Sequence, residues 1–359
     1  MKTKNIALLP GDGIGPEVTD QARKVLEAIG EISKVKFEFK EALIGAAAID
    51  ETGDPFPRET EELCLNADAI LFGAIGHPKY DNDPSAEVRP EQGLLRMRKQ
   101  LGLFANIRPV KSYDLLADVS PLKNHVIDQV DLVVFRELTG GIYFGERDKT
   151  DNDAFDTCSY SVNEIRRISK LAFKAAKKRR KKVTLVDKAN VLATSQLWRE
   201  VVKEMSGDFP EIELDFMFVD NAAMKIIQTP KSFDVILTEN MFGDILSDEA
   251  SVITGSLGML PSASVGSKVA LYEPIHGSFP EAAGQNIANP IAAILSAGML
   301  LDYSFGMVNE RKIIEKAIEN ALANGDVTAD LTDGKSLGTA QFGDLIAKAI
   351  KENQSIVTS

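Results

Sequence analysis

The stretch "KVTLVDKANVLATSQLWREVVKEMSGDFPEIELDFMFVD", residues 182–220, decides the fold class. Each end is a short run rich in apolar and β-branched residues, which is typical of a strand. Between the two runs, apolar residues recur at helical spacing over 195–205. Two strands joined through a helix are placed side by side and parallel in a sheet. The stretch therefore predicts one βαβ unit of an α/β protein.

The same alternation continues along the rest of the chain. Strand-like apolar runs begin at residues 5, 35, 68, 131, 233 and 269, and amphipathic helical segments cover 16–29, 162–178 and 309–323. We interpret this pattern as an α/β fold with mostly parallel sheets flanked by helices. The segments 140–148 and 154–161 differ, because aromatic and β-branched residues flank turn-forming residues there, as in a hairpin or arm. A chain of 359 residues exceeds the usual size of one core, so two domains are expected.

The charge and the cysteines exclude several classes of protein. The chain has 41 Lys and Arg against 53 Asp and Glu, and its net charge of -12 argues against nucleic acid or an anionic membrane as the main partner. The basic run "KAAKKRRKK", 174–182, either binds nucleic acid or forms the solvated end of a helix, where cations complement the dipole. Cys64 and Cys158 show no metal-ligand spacing, which predicts reduced thiols in a cytosolic protein. The apolar segments are too short for a membrane span.

The segment "LPGDGIGPEV", 9–18, resembles a dinucleotide-binding loop, because glycines at 11, 13 and 15 lie between a strand and a helix. The Rossmann fingerprint requires its third glycine at position 16, which is Pro16 here. Proline in the first turn of a helix fits a purely structural tight turn equally well. Both interpretations stay open at this point.

The segment "LTENMFGDILSDEA", 237–250, contains Asp244 and Asp248 four residues apart. On a helix the two carboxylates share a face and repel each other. A hard divalent cation would offset this repulsion, whereas the alternative is an exposed acidic helix N-terminus. Asp220, at the end of an apolar strand, is a candidate third ligand, since ligands bind beyond the carboxyl ends of strands in α/β proteins.

Three arginines stand out in an acidic chain. Arg98 and Arg108 occur in "GLLRMRKQLGLFANIRP", and Arg136 directly follows an apolar strand. Arginines in such places bind ligand carboxylates through paired hydrogen bonds, or are structural. Lys188, just beyond another strand, and Tyr143 are candidates for a base and a proton donor.

Five motifs in order are similar to those of the β-decarboxylating dehydrogenases, the isocitrate/isopropylmalate dehydrogenase family. They are "LLPGDGIGPEV", "FRELTGGIYFGE", "VDKANVL", "TENMFGDILSDEAS" and "YEPIHGSFPEAAGQNIANP". The resemblance extends from about residue 4 to 345 and implies the two-domain fold of that family, which is distinct from a Rossmann fold. It implies a discontinuous cofactor-binding domain, 1–103 with 256–359, and a substrate, metal and dimerisation domain, 104–255.

The resemblance also implies roles for the candidate residues. Asp220, Asp244 and Asp248 would hold Mg²⁺ or Mn²⁺, with Asp220 also lining the substrate site. Arg98, Arg108 and Arg136 would bind the malate carboxylates. Lys188 would take up the hydroxyl proton, and Tyr143 would protonate the enol carbon. Lys188 and Asp220 would reach the site across the interface of a homodimer.

The resemblance implies NAD as the cofactor. Glu281 would bind the ribose hydroxyls and repel a 2'-phosphate, which favours NAD over NADP. The chain departs from the usual family pattern at Phe279 (Ala), Glu281 (Asp) and His77 (Gly), the last in a predicted mobile loop, 77–91. The expected cofactor-binding residues are Pro78, Glu91, Asn190, Glu273, His276, Gly277, Ser278, Glu281, Ile287, Ala288 and Asn289.

The substrate is expected to carry an apolar group. The helix that presents polar groups to a third carboxylate in isocitrate dehydrogenases presents the apolar Leu94 and Leu95 beside Glu91 here, and Val191 follows Lys188. Burying an isopropyl group there contributes about 2–2.5 kcal/mol. The expected reaction is the NAD-dependent oxidative decarboxylation of 3-isopropylmalate in leucine biosynthesis. The alternatives are a sibling enzyme acting on D-malate, tartrate or homoisocitrate, a Mg²⁺-dependent phosphoryl-transfer enzyme, and a non-catalytic subunit with the same fold.

Overall fold

The computed structural model of the chain describes residues 2–82 and 86–352. The chain divides into two compact units. The first unit comprises Met1–Gly102 and Ser256–Ser359, and the second comprises Leu103–Gly255. The first boundary, between residues 102 and 103, lies one residue before the expected boundary between residues 103 and 104.

Eight of the strands coincide with the predicted apolar runs, β6 and β7 overlap the predicted hairpin segments, and β4 and β11 are additional. They are β1 (Lys2–Gly11), β2 (Val35–Glu41), β3 (Ala69–Ala74), β4 (Leu103–Lys111), β5 (Asp131–Glu137), β6 (Arg147–Lys149), β7 (Ala154–Asp156), β8 (Lys182–Asp187), β9 (Glu213–Phe218), β10 (Val235–Thr238), β11 (Pro261–Gly266) and β12 (Ala270–Pro274).

The helices include the four predicted amphipathic segments as α1, α7, α8 and α12. In chain order they are α1 (Gly15–Ser33), α2 (Ala46–Thr52), α3 (Arg58–Asn66), α4 (Pro78–Asp81), α5 (Pro90–Gln100), α6 (Asn124–Ile127), α7 (Val162–Lys177), α8 (Ala193–Ser206), α9 (Val219–Gln228), α10 (Asn240–Ser251), α11 (Ile291–Phe305), α12 (Val308–Ala323) and α13 (Thr339–Glu352). Among the described residues, none of these helices is long and apolar enough to cross a membrane.

In the first unit the strands lie in the order β2-β1-β3-β12-β11. The pairs β2·β1, β1·β3 and β3·β12 are parallel, and β11 is antiparallel to β12. Helix α11 is buried from Ile291 to Leu301 and packs on β12 and α1, while α1 also packs on α13. A helix that is apolar on all sides belongs in a core, which explains why this segment shows no amphipathic pattern.

In the second unit the strands lie in the order β4-β5-β10-β8-β9. Strand β4 is antiparallel to β5, and the other pairs are parallel, including β8·β9 of the predicted βαβ unit. The carboxyl ends of β5, β8, β9 and β10 therefore meet at one edge of this sheet. Arg136, Lys188, Asp220 and helix α10 all lie at or just beyond these ends, as ligand sites do in α/β proteins.

The predicted hairpin is present but shorter than expected. Strands β6 and β7 are antiparallel, with Arg147 opposite Asp156, and all six residues are exposed. Tyr143 lies before the hairpin, in the segment that follows β5. The mixed fold confirms the predicted class, mostly parallel sheets flanked by helices with a separate β-hairpin.

Candidate active site

Helix α10 carries the two aspartates that the sequence singled out. Its N-cap residue, Glu239, accepts hydrogen bonds from the backbone N–H groups of Phe242 (2.8 Å) and Met241 (3.3 Å), which satisfies donors that a helix start leaves unpaired. Asn240, Asp244 and Asp248 follow at intervals of four residues, so they line one face of the helix.

Arg136 holds Asp244. Its Nη1 donates to Asp244 Oδ1 at 2.5 Å, and its Nε donates to the backbone O and side-chain Oδ1 of Asn240 at 2.9 and 3.0 Å. Arg136 is 3% exposed and lies within β5, not after it as predicted. Gly243 lets the arginine pack on the helix, because a Cβ there would lie 2.6 Å from Arg136 Cγ.

Arg108 holds the next turn of the same helix. Its Nη1 donates to Asp248 Oδ1 at 2.9 Å and to Ser247 Oγ at 2.6 Å, and its Nη2 lies 3.9 Å from Asp244 Oδ1. Its Nε is buried and has no hydrogen-bond partner among the described residues. A buried guanidinium N–H of this kind is costly unless a ligand pairs with it.

Tyr143 completes this cluster. Its hydroxyl donates to Asp244 Oδ2 at 3.1 Å, and its ring lies 5.9 Å from the Arg136 guanidinium. Burial, together with the negative charge of Asp244, raises the pKa of Tyr143. The phenol therefore stays protonated at neutral pH, as a proton donor must.

Lys188 and Asp220 form a second, separate pair. The ammonium of Lys188 donates to Asp220 Oδ1, and this bond lowers the pKa of the Asp220 carboxyl. Asp220 is not at a strand end as predicted, since β9 stops at Phe218 and Asp220 lies in the first turn of α9. Within residues 2–82 and 86–352 no three His, Cys, Asp or Glu side chains are grouped for a metal ion. Asp220 thus does not join Asp244 and Asp248 within one chain.

In the first unit, Arg98 on α5 pairs with Glu273 on β12 at 3.2 Å, and both side chains are about nine-tenths buried. Arg98 Nε is also buried without a partner among the described residues. On the same helix, Leu94 and Leu95 are half-buried, and Glu91 is exposed with its Oε1 close to Gly76.

The predicted cofactor residues differ in exposure. Glu273, Ser278, Ala288 and Asn289 are buried, while Asn190, Gly277, Glu281 and Ile287 are exposed. Pro78 begins α4, whose N-cap is His77, and residues 83–85 of the predicted mobile loop lie outside the described part of the chain.

The segment after β12 contains two unusual residues. Burial lowers the pKa of His276, whose Nδ1 lies 2.9 Å from Gly277 O. Phe279 adopts the left-handed conformation (φ 39°) with its ring 54% exposed.

The loop 11–15 is a structural turn and not a phosphate cradle. The backbone N–H groups of Asp12, Ile14 and Gly15 donate to protein carbonyls at 2.8–2.9 Å, so they are not available to a phosphate. A Cβ at Gly13 would lie 2.0 Å from Ser278 O, which explains the glycine. The loop therefore packs against the segment that contains Ser278 and donates a hydrogen bond to it.

The basic run 174–182 is partly used within the fold. Arg179 pairs with Asp131 and Asp234 at 2.8 Å, and Arg180 donates to the carbonyls of Asp131 and Phe233. These bonds support the interpretation as a helix end.

Three residues that contact the cluster or its supports were not predicted from the sequence, namely Asn240, Ser247 and Tyr160. Asn240 and Ser247 lie four before and three after Asp244, so the helical period was a signal for them. Tyr160 gave no local signal, because its partners are 79 and 80 residues away.

The chain is similar in sequence to one family of known proteins. A sequence model described as isocitrate/isopropylmalate dehydrogenase matches residues 5–346. The chain is 55% identical to a 3-isopropylmalate dehydrogenase of Priestia megaterium, covering 99% of this chain and 98% of that one. It is 53% identical to one of Aquifex aeolicus, with both chains covered completely.

Solved structures show the same fold. An isocitrate dehydrogenase of Methylococcus capsulatus superposes with a TM-score of 0.86 at 34% identity, covering 97% of this chain and 99% of that one. A β-decarboxylating dehydrogenase of Thermococcus kodakarensis superposes with a TM-score of 0.81 at 36% identity, covering 98% and 97%. The chain belongs to the isocitrate/isopropylmalate dehydrogenase family.

Proposed function

We propose that the chain catalyses the NAD-dependent oxidative decarboxylation of (2R,3S)-3-isopropylmalate to 4-methyl-2-oxopentanoate and CO₂, a step of leucine biosynthesis. The observation that carries the proposal is the full-length similarity to relatives named 3-isopropylmalate dehydrogenase. The proposal is also supported by a cluster of side chains that suit this reaction, namely Arg108, Arg136, Tyr143 and Asp244.

The arginines bind the malate part of the substrate. Arg108 and Arg136 are almost fully buried, and planar guanidinium groups match carboxylates through paired hydrogen bonds. Arg98 binds a carboxylate as well, and Arg98 and Arg108 each have an Nε without a hydrogen-bond partner among the described residues. In its neutral amine form Lys188 takes the proton of the C2 hydroxyl, and Tyr143 delivers a proton to the carbon that loses CO₂.

The oxygen donors suit a hard divalent cation, because Asp244 and Asp248 present carboxylates one helical turn apart. Asp220 is the third ligand. When bound, Mg²⁺ or Mn²⁺ would supply positive charge that stabilises negative charge on the substrate's oxygens, and NAD would supply the hydride acceptor. The almost fully buried Arg108 and Arg136 hold the two carboxylates in place before the ion binds.

We assign NAD binding mainly to the first unit, through Pro78, Glu91, Glu273 and the segment 276–289. We also assign one residue of the second unit, Asn190, to NAD binding. Glu281 is exposed and carries the charge that disfavours a 2'-phosphate. The proposed metal ligands, together with Arg108, Arg136 and Tyr143, belong to the second unit. Leu94, Leu95 and Val191 bind the isopropyl group, while Glu91 and the apolar surroundings disfavour a third carboxylate.

The active form is a homodimer in which Lys188 and Asp220 come from a second copy of the chain. Two observations support this arrangement. Asp220 does not reach Asp244 and Asp248 within the described part of one chain, and the neighbouring Val191 and Leu192 are 67% and 40% exposed. Nucleic acid and membranes are not partners in this proposal, and the reaction takes place in the cytoplasm.

The test is NADH formation at 340 nm from 3-isopropylmalate with Mg²⁺, with and without EDTA, and with NADP in place of NAD. We expect NADH formation that EDTA abolishes and a lower kcat/KM with NADP. Unsubstituted D-malate, tartrate, homoisocitrate and isocitrate form the comparison panel. Higher kcat/KM for any of these than for 3-isopropylmalate would reassign the substrate within the family, and no turnover of any malate would refute the proposal.

A further inference from the structure

Tyr160 lies where the segments that carry the catalytic groups meet. It is 9% exposed and precedes helix α7. Its hydroxyl donates to Glu239 Oε2 at 2.9 Å and accepts from the backbone N–H of Asn240 at 3.0 Å. These two residues begin helix α10, so the hydroxyl fixes the start of the helix that carries Asp244 and Asp248.

The ring of Tyr160 fixes a second segment, the turn of Gly140 and Gly141. A Cβ at Gly140 would lie 2.9 Å from the Tyr160 ring, and a Cβ at Gly141 would lie 2.1 Å from its hydroxyl oxygen. Gly141 also has φ of +75°, which disfavours any side chain there. This turn lies two residues before Tyr143.

The same turn is tied to the start of α10 by a direct bond, from Asn240 Nδ2 to Gly140 O at 3.0 Å. On its other side, the fully buried Glu137 accepts the N–H groups of Thr139 and Gly140 at 3.0 and 2.7 Å and is paired with Arg167 at 2.6 Å. The turn is therefore held from both sides, and Tyr160 contacts both the turn and the helix.

We propose that Tyr160 is a positioning residue of the active site, whose hydroxyl and ring together set the distance between Tyr143 and Asp244. The inference rests on the proposed function, because it takes these two groups as the proton donor and a metal ligand. Tyr160 itself contacts neither of the two groups in the hydrogen bonds above. It acts through Glu239, Asn240, Gly140 and Gly141.

Tyr160→Phe tests the proposal, because it keeps the ring, removes the partner of Asn240 N–H and leaves Glu239 Oε2 with the longer bond from Met241 N–H, at 3.3 Å. Loss of a hydrogen bond to a charged group corresponds to roughly 10-fold or more in an equilibrium constant. We expect the KM for 3-isopropylmalate and the apparent KM for Mg²⁺ to rise roughly 10-fold, with a lower kcat. The KM for NAD should stay unchanged.

Metal binding supplies a readout that does not depend on turnover. Titration of the full-length homodimer with Mn²⁺, followed by electron paramagnetic resonance, should show weaker binding in Tyr160→Phe than in the unmodified chain. Tyr272→Phe is the control, because Tyr272 is also buried (0% exposed, against 9% for Tyr160) and loses a hydroxyl hydrogen bond, with Ser304 Oγ at 2.8 Å, in the first unit. It should leave Mn²⁺ affinity and the KM for substrate unchanged.

A purely structural role predicts a different result, in which kcat falls with the fraction of folded enzyme while every KM and the Mn²⁺ affinity stay the same. That result overturns the proposal. If Tyr160→Phe does not fold, Glu239→Gln replaces it and is judged by the same criteria, since it weakens the bond from Tyr160. If the unmodified chain binds Mn²⁺ but does not oxidise the malate, the proposed function fails, and the Mn²⁺ comparison still decides whether Tyr160 positions Asp244.

Discussion

The Asp244 carboxylate has a separate hydrogen-bond partner for each of its two oxygens. Arg136 binds one of its oxygens and Tyr143 the other, and the side chain is still about one-third exposed. Opposite charge at 2.5 Å offsets the repulsion from Asp248 in the next helical turn. At the scale of single residues, the Asp244 carboxylate is therefore held in place without a ligand and remains accessible to one.

Gly243→Ala should disturb this arrangement directly. The added methyl group would lie 2.6 Å from Arg136 Cγ and 2.7 Å from its Cβ, so the arginine or the helix must shift. We expect the KM for 3-isopropylmalate to rise about 10-fold, which is what a weakened charge-assisted hydrogen bond costs. Overpacking should lower the free energy of unfolding by about 1–3 kcal/mol.

The matched control for this change is Gly298→Ala, another glycine inside a helix. A Cβ there would meet Arg311 Cγ at an ordinary 3.5 Å. It should leave the KM unchanged and, through the better helix propensity of alanine, keep or raise stability. Equal steady-state constants for Gly243→Ala and the unmodified enzyme would contradict the role given to Gly243.

Cys64 provides a prediction about pH. Burial raises the pKa of its thiol from 9.0 to about 12. Because the folded-state pKa is the higher one, the stability that the neutral thiol contributes is complete below pH 9 and is lost as the pH rises towards 12. In a Cys158→Ser chain at pH 8, we expect Cys64 to react with DTNB at least about 1000-fold more slowly when folded than in urea. Similar rates in both states would show that Cys64 is not buried.

At the scale of elements, the loop between β1 and α1 connects several pieces of the first unit. Asp12 is 5% exposed, and its carboxylate accepts the N–H groups of Ala46, Ala47 and Gly76 at 2.9–3.0 Å. Burial nevertheless raises the pKa of Asp12, because desolvation outweighs these bonds. The loop that first suggested nucleotide binding thus supports the start of α2 and the segment after β3.

Asp12→Asn should lower the free energy of unfolding in urea by about 1–3 kcal/mol, since the amide NH₂ must face at least one N–H group. Asp68→Asn is the control, because Asp68 accepts a single bond, from Asn5 N–H at 2.8 Å, at an exposed position. Its effect should be within about 0.5 kcal/mol. Equal effects of the two changes would refute the role given to Asp12.

The elements also show which features a sequence reveals. Strands β5, β8 and β10 were predictable because they are short buried runs, and the helical period placed Asp244 beside Asp248. Strands β4 and β11 were missed because they contain Asn106, Arg108, Ser262 and Ser264, polar residues that are nonetheless buried. Only tertiary partners make such residues tolerable in a core, and those partners are distant in sequence.

At the scale of the whole molecule, each unit supplies its own group of residues. The second unit assembles Arg108, Arg136, Tyr143 and Asp244, and the first unit contains Arg98 and the segment 276–290. The sequence motifs identified both groups. The separation of Lys188 and Asp220 from the Asp244 cluster within one chain was visible only in three dimensions.

That separation leads to a prediction about mixed dimers. Lys188→Ala and Asp248→Ala should each be inactive as homodimers, because every site then lacks a base or a metal ligand. If Lys188 acts in the site of the other subunit, a dimer with one chain of each kind contains one site with both residues intact.

Unfolding and refolding an equal mixture should produce half mixed dimers, and activity should return to about a quarter of the unmodified value. Two differently tagged chains allow the mixed dimer to be isolated, and it should reach about half. Refolded mixtures that stay inactive, while the unmodified chain regains activity under the same conditions, would place Lys188 and Asp248 in the same subunit's site.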